Sequence, residues 1–476
     1  MTESAKKKYE IDMCTGPMLP KMLLFAVPLM CSSVLQLLFN AADVIVVGRY
    51  AGDNALAAVG SNTSLIGLMT NLFIGLSIGS NVVAARCFGA GDEKGLSETV
   101  HTSIYLSLAS GVLLSLLGII GARRILVLMQ TPVEVLDLAT LYLVLYFFGM
   151  TPVMVYNFGS AILRAVGDTR RPLYYLVIAG IINVLLNLFF VINLKLGVAG
   201  VAIATVISQT VSALLVMRCL ARETGGIRFV RSSLRLTFDK LMQILRIGLP
   251  AGFQGMLFSL SNVVIQAAVN SFGAVVMAGN SAASNIELFV YFAMNAFYQA
   301  VLSFTSQNYG AGKRSRIFRI LMTGNLCSLV IGGLLGNLAW LFGPFLLGIY
   351  SSSQPVIAAG MRRLEIIATL YFICGFMDNI VGTMRGLGYS VMPMMVSLFG
   401  ACVLRLVWLA TIFQVPFFHT VTTIYLSYPV TWIITLAAHL LCYRYISKKL
   451  GIINSMRFFT SVQSNKNELG LNSKNE

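Results

Sequence analysis

The sequence is poor in charge, and this scarcity decides the class of protein. Only 11% of its 476 residues are charged, whereas a soluble globular domain typically has about 25%. Hydrophobic residues make up 57% of the chain, and the mean hydropathy is +0.81. Apolar runs of roughly 18 residues or more recur along the whole length. The composition therefore excludes an ordinary soluble domain and predicts a protein with many membrane-spanning helices.

Twelve apolar runs are long enough to cross a bilayer. They lie at about 22–47, 55–84, 97–120, 136–156, 174–191, 197–216, 241–272, 275–304, 317–347, 361–384, 392–413 and 420–446. The predicted fold class is an all-α integral membrane protein with twelve transmembrane helices.

Histidine is nearly absent and the cysteines are scattered. His101, His419 and His439 stand alone, and none of the eight cysteines forms a CxxC pair, which argues against a bound metal or a disulfide framework. The GAG sequences at 89–91 and 310–312 lack the GxxxxGK[ST] pattern of a nucleotide-driven pump. Since no cluster of His, Asp, Ser or Cys suggests an intramembrane enzyme, we expect no catalysis, no cofactor and no structural or catalytic metal.

Acidic residues are scarcer than basic ones. The chain has 34 Lys and Arg but 18 Asp and Glu, for a net charge of +16. With a cytoplasmic N-terminus, 27 basic residues lie in the inner tails and loops and six in the outer loops, Arg362 and Arg363 among them. This asymmetry follows the positive-inside rule. It predicts a multi-pass protein of the cell membrane with both termini cytoplasmic, and it makes the charge a topology signal rather than a nucleic-acid site.

The two halves of the chain repeat each other. "FAVPLMCSSVLQLLFNAADVIV" aligns with "RIGLPAGFQGMLFSLSNVVIQA", which places Pro28 on Pro250 at a spacing of 222 residues. "CFGAGDEK" aligns with "NYGAGKRS", and "LRAVGDTRRP" with "MRGLGYSVMP", both at a spacing of 221. Because each half has six predicted spans, both enter the membrane from the same side and form a parallel repeat of two lobes around a cleft.

The repeat sets the predicted domain organisation. We expect a cytoplasmic tail at 1–21, an N-terminal six-helix lobe at 22–217, a cytoplasmic linker at 218–240, a C-terminal six-helix lobe at 241–446 and a cytoplasmic tail at 447–476. Rocking of two such lobes provides alternating access.

The matched segments, together with "FNAADVIVVGRYAGDNALAAVGS" and "INVLLNLFFVINLKLGVAGVAIATVISQ", resemble the multidrug and toxic compound extrusion (MATE) family over about residues 12–446. The resemblance implies a twelve-helix exporter driven by inward flow of Na⁺ or H⁺. It also implies amphipathic organic cations as small-molecule substrates. We expect membrane lipids to be the other partners, no nucleic acid, and a monomeric protein.

Three acids lie well inside predicted spans, and the first is Asp43. Gln36 and Asn40 precede it by seven and three residues, which puts all three on one helix face. Asn183 and Asn187 share a face of the fifth span. Carboxylate and amide oxygens suit a hard cation or a protonatable site. The resemblance implies a functional acid at Asp43 and polar residues at Asn183 and Asn187, so we predict an ion-coupling site here. A structural role for Asp43 is the alternative.

The second half holds the other two acids, Glu287 and Asp378. Glu287 belongs to a helical stripe with Ser284, Tyr291 and Asn295, followed by Gln299, and Asp378 shares a face with Tyr371. We predict that these residues bind the coupling ion or line the substrate cleft. A structural hydrogen bond is the alternative. Arg405, taken as the single basic residue well inside a span, is predicted to neutralise one of the two acids or to extend towards an interface. We expect a structural role for it rather than contact with substrate.

Pro28 and Pro250 are candidate hinges, because proline removes a backbone hydrogen bond early in each matched helix. Two other functions compete with cation-coupled export. A lipid-linked saccharide flippase should line its cleft with many Arg or Lys, and a channel or receptor should lack coupled export. The single intramembrane arginine and the asymmetric duplication argue against these alternatives.

Overall fold

The computed structural model describes residues 9–452, and every regular element in this range is helical. The first half contains seven α-helices. They are α1 (Met18–Tyr50), α2 (Asp53–Ala90), α3 (Glu93–Leu128), α4 (Val133–Phe148), α5 (Met150–Ala165), α6 (Arg170–Leu188) and α7 (Gly197–Arg222). Two short 3₁₀ turns, Gly225–Ile227 and Arg231–Ser233, lie in the linker that follows.

The second half contains nine α-helices among its described residues. They are α8 (Phe238–Asn270), α9 (Ala274–Gly310), α10 (Ser315–Leu341), α11 (Gly343–Gly348), α12 (Gln354–Arg363), α13 (Tyr371–Gly386), α14 (Val391–Ser397), α15 (Leu404–Ala410) and α16 (Val421–Lys449). Short 3₁₀ turns at Ile412–Gln414 and Pro416–Phe418 connect the last two helices.

The predicted number of spans is confirmed. In residues 9–452, ten helices are long and apolar enough to cross a membrane. Two further spans are bent pairs: α4 with α5 at 46°, and α12 with α13 at 42°. Counting each pair once gives twelve spans in the described chain. The bends follow Phe148 and Ala368, which are 220 residues apart and so occupy nearly the same place in the two repeats.

Three π-helical turns interrupt the described spans. Phe189–Asn193 extends α6, Leu364–Ala368 follows α12, and Leu398–Val403 joins α14 to α15. Such turns are rare and often lie at functional sites. Each of these three lies within two residues of a buried polar side chain of the candidate sites below.

The described chain packs into two compact units. The first unit contains residues 9–12 and Leu23–Leu260, and the second contains Met13–Met22 and the chain from Ser261. The division therefore falls inside α8, whereas the sequence repeat divides at the linker. The core of the first unit includes the fully buried Phe147 and Phe158, and that of the second includes Phe297 and Tyr425.

Glycines explain why the start of α8 belongs to the first unit. Gly75 and Gly79 of α2 face Gly248 and Gly252 of α8, and each pair forms a GxxxG sequence. A Cβ on Gly75 would lie 2.3 Å from the backbone nitrogen of Gly252. Only glycine permits this approach of two helix backbones, which small-residue motifs commonly provide in membranes.

Within the first unit, the linker packs on α3. The Nε2 atom of His101 on α3 accepts a hydrogen bond from the backbone N–H of Val230 at 3.1 Å, and its ring stacks on Phe229 at 5.5 Å. Glu93 accepts a hydrogen bond from the backbone N–H of Gly226. His101 thus satisfies local hydrogen bonds, as expected for a histidine without metal-ligand neighbours.

Candidate functional site

The first candidate site surrounds Asp43 on α1. Its carboxylate accepts a hydrogen bond from the side-chain amide of Asn187 on α6, and the Thr205 hydroxyl on α7 lies close enough to interact with it. The same amide group of Asn187 lies 3.2 Å from Oδ1 of Asn183, whose own amide donates to Thr205 at 3.3 Å. The structure therefore brings together three of the five residues predicted for this site.

A glycine contact places these residues against each other. Gly180 of α6 packs directly on the Phe39 ring of α1, where a Cβ would lie 1.8 Å from the nearest ring carbon. Asp43 lies one turn after Phe39, and Asn183 lies one turn after Gly180. Because residues three and four apart share a helix face, the close approach of α1 and α6 brings the carboxylate to the amides.

Two tyrosines that sequence reasoning missed complete this site. Tyr142 and Tyr146 on α4 lie close enough to interact electrostatically with Asp43, and their ring centroids are 5.9 Å apart. Their spacing of four residues on an apolar span was the available signal. Thr205 was missed as well, because one hydroxyl in an apolar helix is not distinctive.

Gln36 and Asn40 are placed differently from the other predicted ligands. Both side chains are exposed, and in residues 9–452 neither forms a hydrogen bond with Asp43. The three residues lie on one helix face as predicted, but neither Gln36 nor Asn40 contacts Asp43 through a hydrogen bond in the described chain.

The donor set around Asp43 fits a small cation. Asn187 is fully buried, and its Oδ1 has no hydrogen-bond partner among the described residues. A buried amide oxygen without a donor costs free energy unless something else satisfies it. Carboxylate, amide and hydroxyl oxygens are hard ligands that suit Na⁺. A protonated Asp43 would equally remove the negative charge from this apolar environment.

The second unit contains a buried ion pair. Glu287 on α9 accepts two hydrogen bonds from Arg363 on α12, at 3.0 Å from Nε and 2.7 Å from Nη2. Asn280 accepts a third from Nη1 at 2.7 Å. Glu287, Arg363 and Asn280 are 3%, 8% and 1% exposed. The negative charge of Glu287 is thus compensated within the protein.

This ion pair corrects two sequence expectations. The charge asymmetry places Arg363 in an outer loop, but the residue lies buried at the end of α12, directly before a π-helical turn. Arg405 was expected to neutralise one of the two acids or to extend towards an interface, yet it is buried and pairs with neither acid. It donates to Thr431 Oγ1 at 3.1 Å and stacks on Tyr428 at 4.0 Å. The reason is geometric, since Gly279 and Gly360 let α9 and α12 approach closely and bring Arg363 to Glu287.

The remaining predicted residues of the second unit lie on α9 and α13. Tyr291 and Tyr371 have ring centroids 6.4 Å apart, and Asn295 accepts a hydrogen bond from Gln299 at 3.1 Å. Asp378 is half-buried and has neither a hydrogen bond nor an ion pair within the described chain. It lies close enough to Tyr291 to interact electrostatically.

Comparison with known proteins identifies the family. The family described as MatE matches residues 28–189 and again residues 250–411, one match in each repeat. The chain belongs to the MATE family. A curated relative in this family, probable multidrug resistance protein YoeA of Bacillus subtilis, is 31% identical over 79% of this chain and 83% of its own. Another, probable multidrug resistance protein YpnP of the same organism, is 27% identical over 83% and 88%.

A solved structure shares the MATE fold of this chain. It is described as a MOP superfamily transporter from Pyrococcus furiosus, with a binding pocket of reverse polarity that suggests a different function. It has a TM-score of 0.86 and 22% identity, over 92% of this chain and 98% of that one. Together with the family match, the fold confirms a multi-pass membrane transporter built from two six-helix repeats.

The two family matches begin at Pro28 and Pro250, the candidate hinges of this MATE protein. α1 and α8 both continue through their prolines. In α1 the Ser32 hydroxyl donates to the Pro28 carbonyl at 2.8 Å. The hinge role of the two prolines stays a prediction.

Proposed function

We propose that this protein is a secondary active multidrug efflux transporter that exports amphipathic organic cations in antiport with Na⁺ or H⁺. It acts in the cell membrane with both termini in the cytoplasm. The names of the YoeA and YpnP relatives support multidrug export. The observation that carries ion coupling is the buried, unpartnered Oδ1 of Asn187 beside the Asp43 carboxylate.

The coupling step follows from charge. An ionised Asp43 in an apolar environment is costly, and a bound Na⁺ or proton removes that cost. Binding then lets α1 repack against Asn183 and Asn187 of α6. An ion shifts a conformational equilibrium only through its differential affinity for the two states. The ion must therefore bind the outward-open state more tightly than the inward-open state.

The second unit is the weaker candidate for ion binding. Glu287 is engaged on both oxygens by Arg363, so a cation would have to displace a buried guanidinium. Asp378, which has no ion pair in residues 9–452, is the second-unit acid that remains available for the ion or for a cationic substrate.

The flippase alternative is less well supported. The residues described in the second unit include three buried arginines, Arg363, Arg385 and Arg405, rather than one. One of them is already neutralised by Glu287. Three buried arginines, one paired with Glu287 and another, Arg385, bonded to the Tyr298 hydroxyl, remain far fewer than the many basic residues that would hold the phosphates of a lipid-linked saccharide. A channel or receptor would not need a buried site, such as that of Asp43 and Asn187, at which ion binding drives export.

Uptake of a fluorescent organic cation into inverted vesicles tests the proposal, with Na⁺ and pH gradients imposed separately. We expect one gradient to drive uptake by the wild type and neither to drive it by Asp43→Asn. The matched control is Asp137→Asn, the same change at a carboxylate that is 82% exposed. Gradient-driven uptake by Asp43→Asn at the wild-type rate would show that Asp43 is structural.

Topology has its own test. Ser232 lies exposed in the linker, which the charge asymmetry predicts to be cytoplasmic. A cysteine introduced as Ser232→Cys, in a background without other reactive cysteines, should resist an impermeant thiol reagent in intact cells. Labelling without permeabilisation would contradict the proposed orientation.

A further inference from the structure

The second unit contains a buried arginine that no carboxylate neutralises. Arg405 on α15 is 5% exposed. Its Nη2 donates to Thr431 at 3.1 Å, while its Nε is buried and has no acceptor among the described residues. Glu287 is already paired with Arg363, and Asp378 forms no ion pair in the described chain. A full positive charge with an unused N–H donor therefore remains in the interior.

The surroundings of Arg405 position its guanidinium without neutralising it. Tyr428 stacks on one face, with its ring centroid 4.0 Å from the guanidinium carbon. The Thr431 hydroxyl donates to the backbone carbonyl of Ser427 at 2.7 Å, so its lone pairs are oriented towards Arg405. Cation–π stacking and one hydrogen bond offset only part of the cost of a buried charge. Guanidinium stays protonated in proteins, so it does not escape this cost by becoming neutral.

Aromatic side chains extend from Arg405 across the unit. Tyr428 lies 5.8 Å from Trp432, Trp432 lies 5.3 Å from Tyr371, and Tyr371 lies 6.4 Å from Tyr291, measured between ring centroids. The three tyrosines are only half-buried. Aromatic rings of this kind offer stacking surfaces for a planar ligand, and Tyr428 brings this row of rings to the guanidinium of Arg405.

A π-helical turn lies next to Arg405. A π-helical turn, Leu398–Val403, ends two residues before Arg405. The other two described π-turns begin two residues after Asn187 and directly after Arg363. Since π-turns are frequent at functional sites, Arg405 shares a local feature with the candidate ion site and the buried ion pair.

We propose that Arg405 and Tyr428 form an anion subsite that receives the carboxylate of an aromatic, zwitterionic or anionic substrate. A carboxylate matches the planar donor geometry of guanidinium, and its single negative charge balances the single uncompensated charge of Arg405. The substrate ring stacks along Tyr371 and Tyr428. This subsite rests on the proposed export function and adds a class of substrate to it.

Ligand binding to the purified full-length protein tests the subsite. The protein is placed in nanodiscs of phosphatidylcholine, so that the bilayer supplies no net anion. The probes are 1-naphthoate, 1-naphthyl phosphate and 1-naphthylmethylamine, which share a ring and differ in charge. We expect the wild type to bind naphthoate more tightly than naphthyl phosphate. Arg405→Gln should weaken naphthoate binding at least tenfold and leave amine binding unchanged or stronger.

Two variants serve as controls. Arg405→Lys keeps the charge but loses the planar donor pair, so its naphthoate affinity should be intermediate. Arg362→Gln removes an exposed arginine and should change no affinity. Because Arg405→Gln removes an uncompensated buried charge, its unfolding temperature should equal or exceed that of the wild type.

Several results would overturn the subsite. Unchanged naphthoate binding by Arg405→Gln would do so. An equal loss of affinity for naphthoate and for the amine, together with a lower unfolding temperature, would also do so, because it would indicate a structural role for Arg405. Tighter binding of naphthyl phosphate than naphthoate by the wild type would refute the carboxylate assignment. Failure of the wild type to export cations in vesicles would overturn the proposed function, but the binding measurements would still decide the anion subsite.

Discussion

The two halves of the chain repeat each other but place different charged side chains in their interiors. The first surrounds Asp43 with amide and hydroxyl groups, and the second buries Arg363 and Arg405. The repeat spacing places Ile265 at the position of Asp43 and Tyr142 at the position of Arg363. Neither charge has a counterpart in the other half. Duplication accounts for the shared helical scaffold, whereas each half acquired its polar chemistry separately.

The units nevertheless assemble their sites by the same physical means. In each, a glycine allows two helices to approach, Gly180 against α1 in the first and Gly279 against α12 in the second. The polar residues that meet lie within about two turns of that contact. Close packing of helices at glycine, rather than a common set of polar residues, is therefore the feature that the two halves share.

The largest expected effect comes from breaking the buried ion pair of the second unit. Arg363→Met leaves Glu287 charged and buried without its partner, so we expect the free energy of unfolding to fall by about 3–5 kcal/mol. Thermal unfolding in detergent measures the change. The double variant Glu287→Leu with Arg363→Met should recover most of the stability, because two apolar side chains leave no charge behind.

An exposed ion pair is the control for that experiment. Arg123 and Asp137 of the first unit lie 2.7 Å apart but are 63% and 82% exposed. Arg123→Ala should cost no more than about 1 kcal/mol. If Arg363→Met lowers the free energy of unfolding as little as Arg123→Ala does, the ion pair of Glu287 and Arg363 does not stabilise the fold.

A smaller effect is expected where α2 meets α8, a contact that belongs to the first unit. A Cβ on Gly79 would lie 2.3 Å from the carbonyl oxygen of Ile244, so Gly79→Ala should destabilise the protein by about 1–3 kcal/mol through overpacking. Gly60 lies on the same helix, and a Cβ there would meet nothing within 4 Å. Gly60→Ala should therefore be neutral or stabilising, because alanine favours the helix. Equal unfolding temperatures for the two variants would contradict the packing argument.

The sequence was sufficient to predict the fold class, because hydropathy and length report directly on membrane spans. It also predicted that Asp43, Asn183 and Asn187 belong together, since buried polar groups need partners and the family resemblance supplied the pairing. The predicted repeat agrees with the two family matches, which start at Pro28 and Pro250.

The contacts between helices could not be predicted from the sequence, because they depend on tertiary geometry. Glu287 and Arg363 are 76 residues apart, and no spacing rule indicates how two helices rotate against each other. Arg363 lies at the edge of an apolar run, where a charge normally marks the end of a span. Tyr142 and Thr205 were missed because tyrosine and threonine are common in apolar helices. Helical periodicity placed Gln36 on the face of Asp43, but a shared face does not guarantee contact.

The unpartnered oxygen of Asn187 predicts an effect on ion binding rather than on stability. Asn187→Ala removes both the amide that donates to Asp43 and the Oδ1 acceptor. We expect the concentration of coupling ion that gives half-maximal transport to rise about tenfold, or about 1.4 kcal/mol. Transport at a saturating gradient should remain, since Asp43 is intact. Loss of transport at every gradient would show that Asn187 positions helices instead of binding the ion.

The smallest expected effects concern Gln36 and Asn40, the other polar residues of α1. They test whether residues on the same helix face as Asp43 also belong to its ion site. Gln36 and Asn40 are exposed and make no hydrogen bond to Asp43 in the described chain. Gln36→Ala and Asn40→Ala should each change the free energy of unfolding by no more than about 0.5 kcal/mol, as is usual for exposed positions. Their ion dependence should match the wild type when cation export is titrated beside Asn187→Ala. A tenfold shift in either variant would return that residue to the ion site and would mean that α1 turns towards α6 during transport.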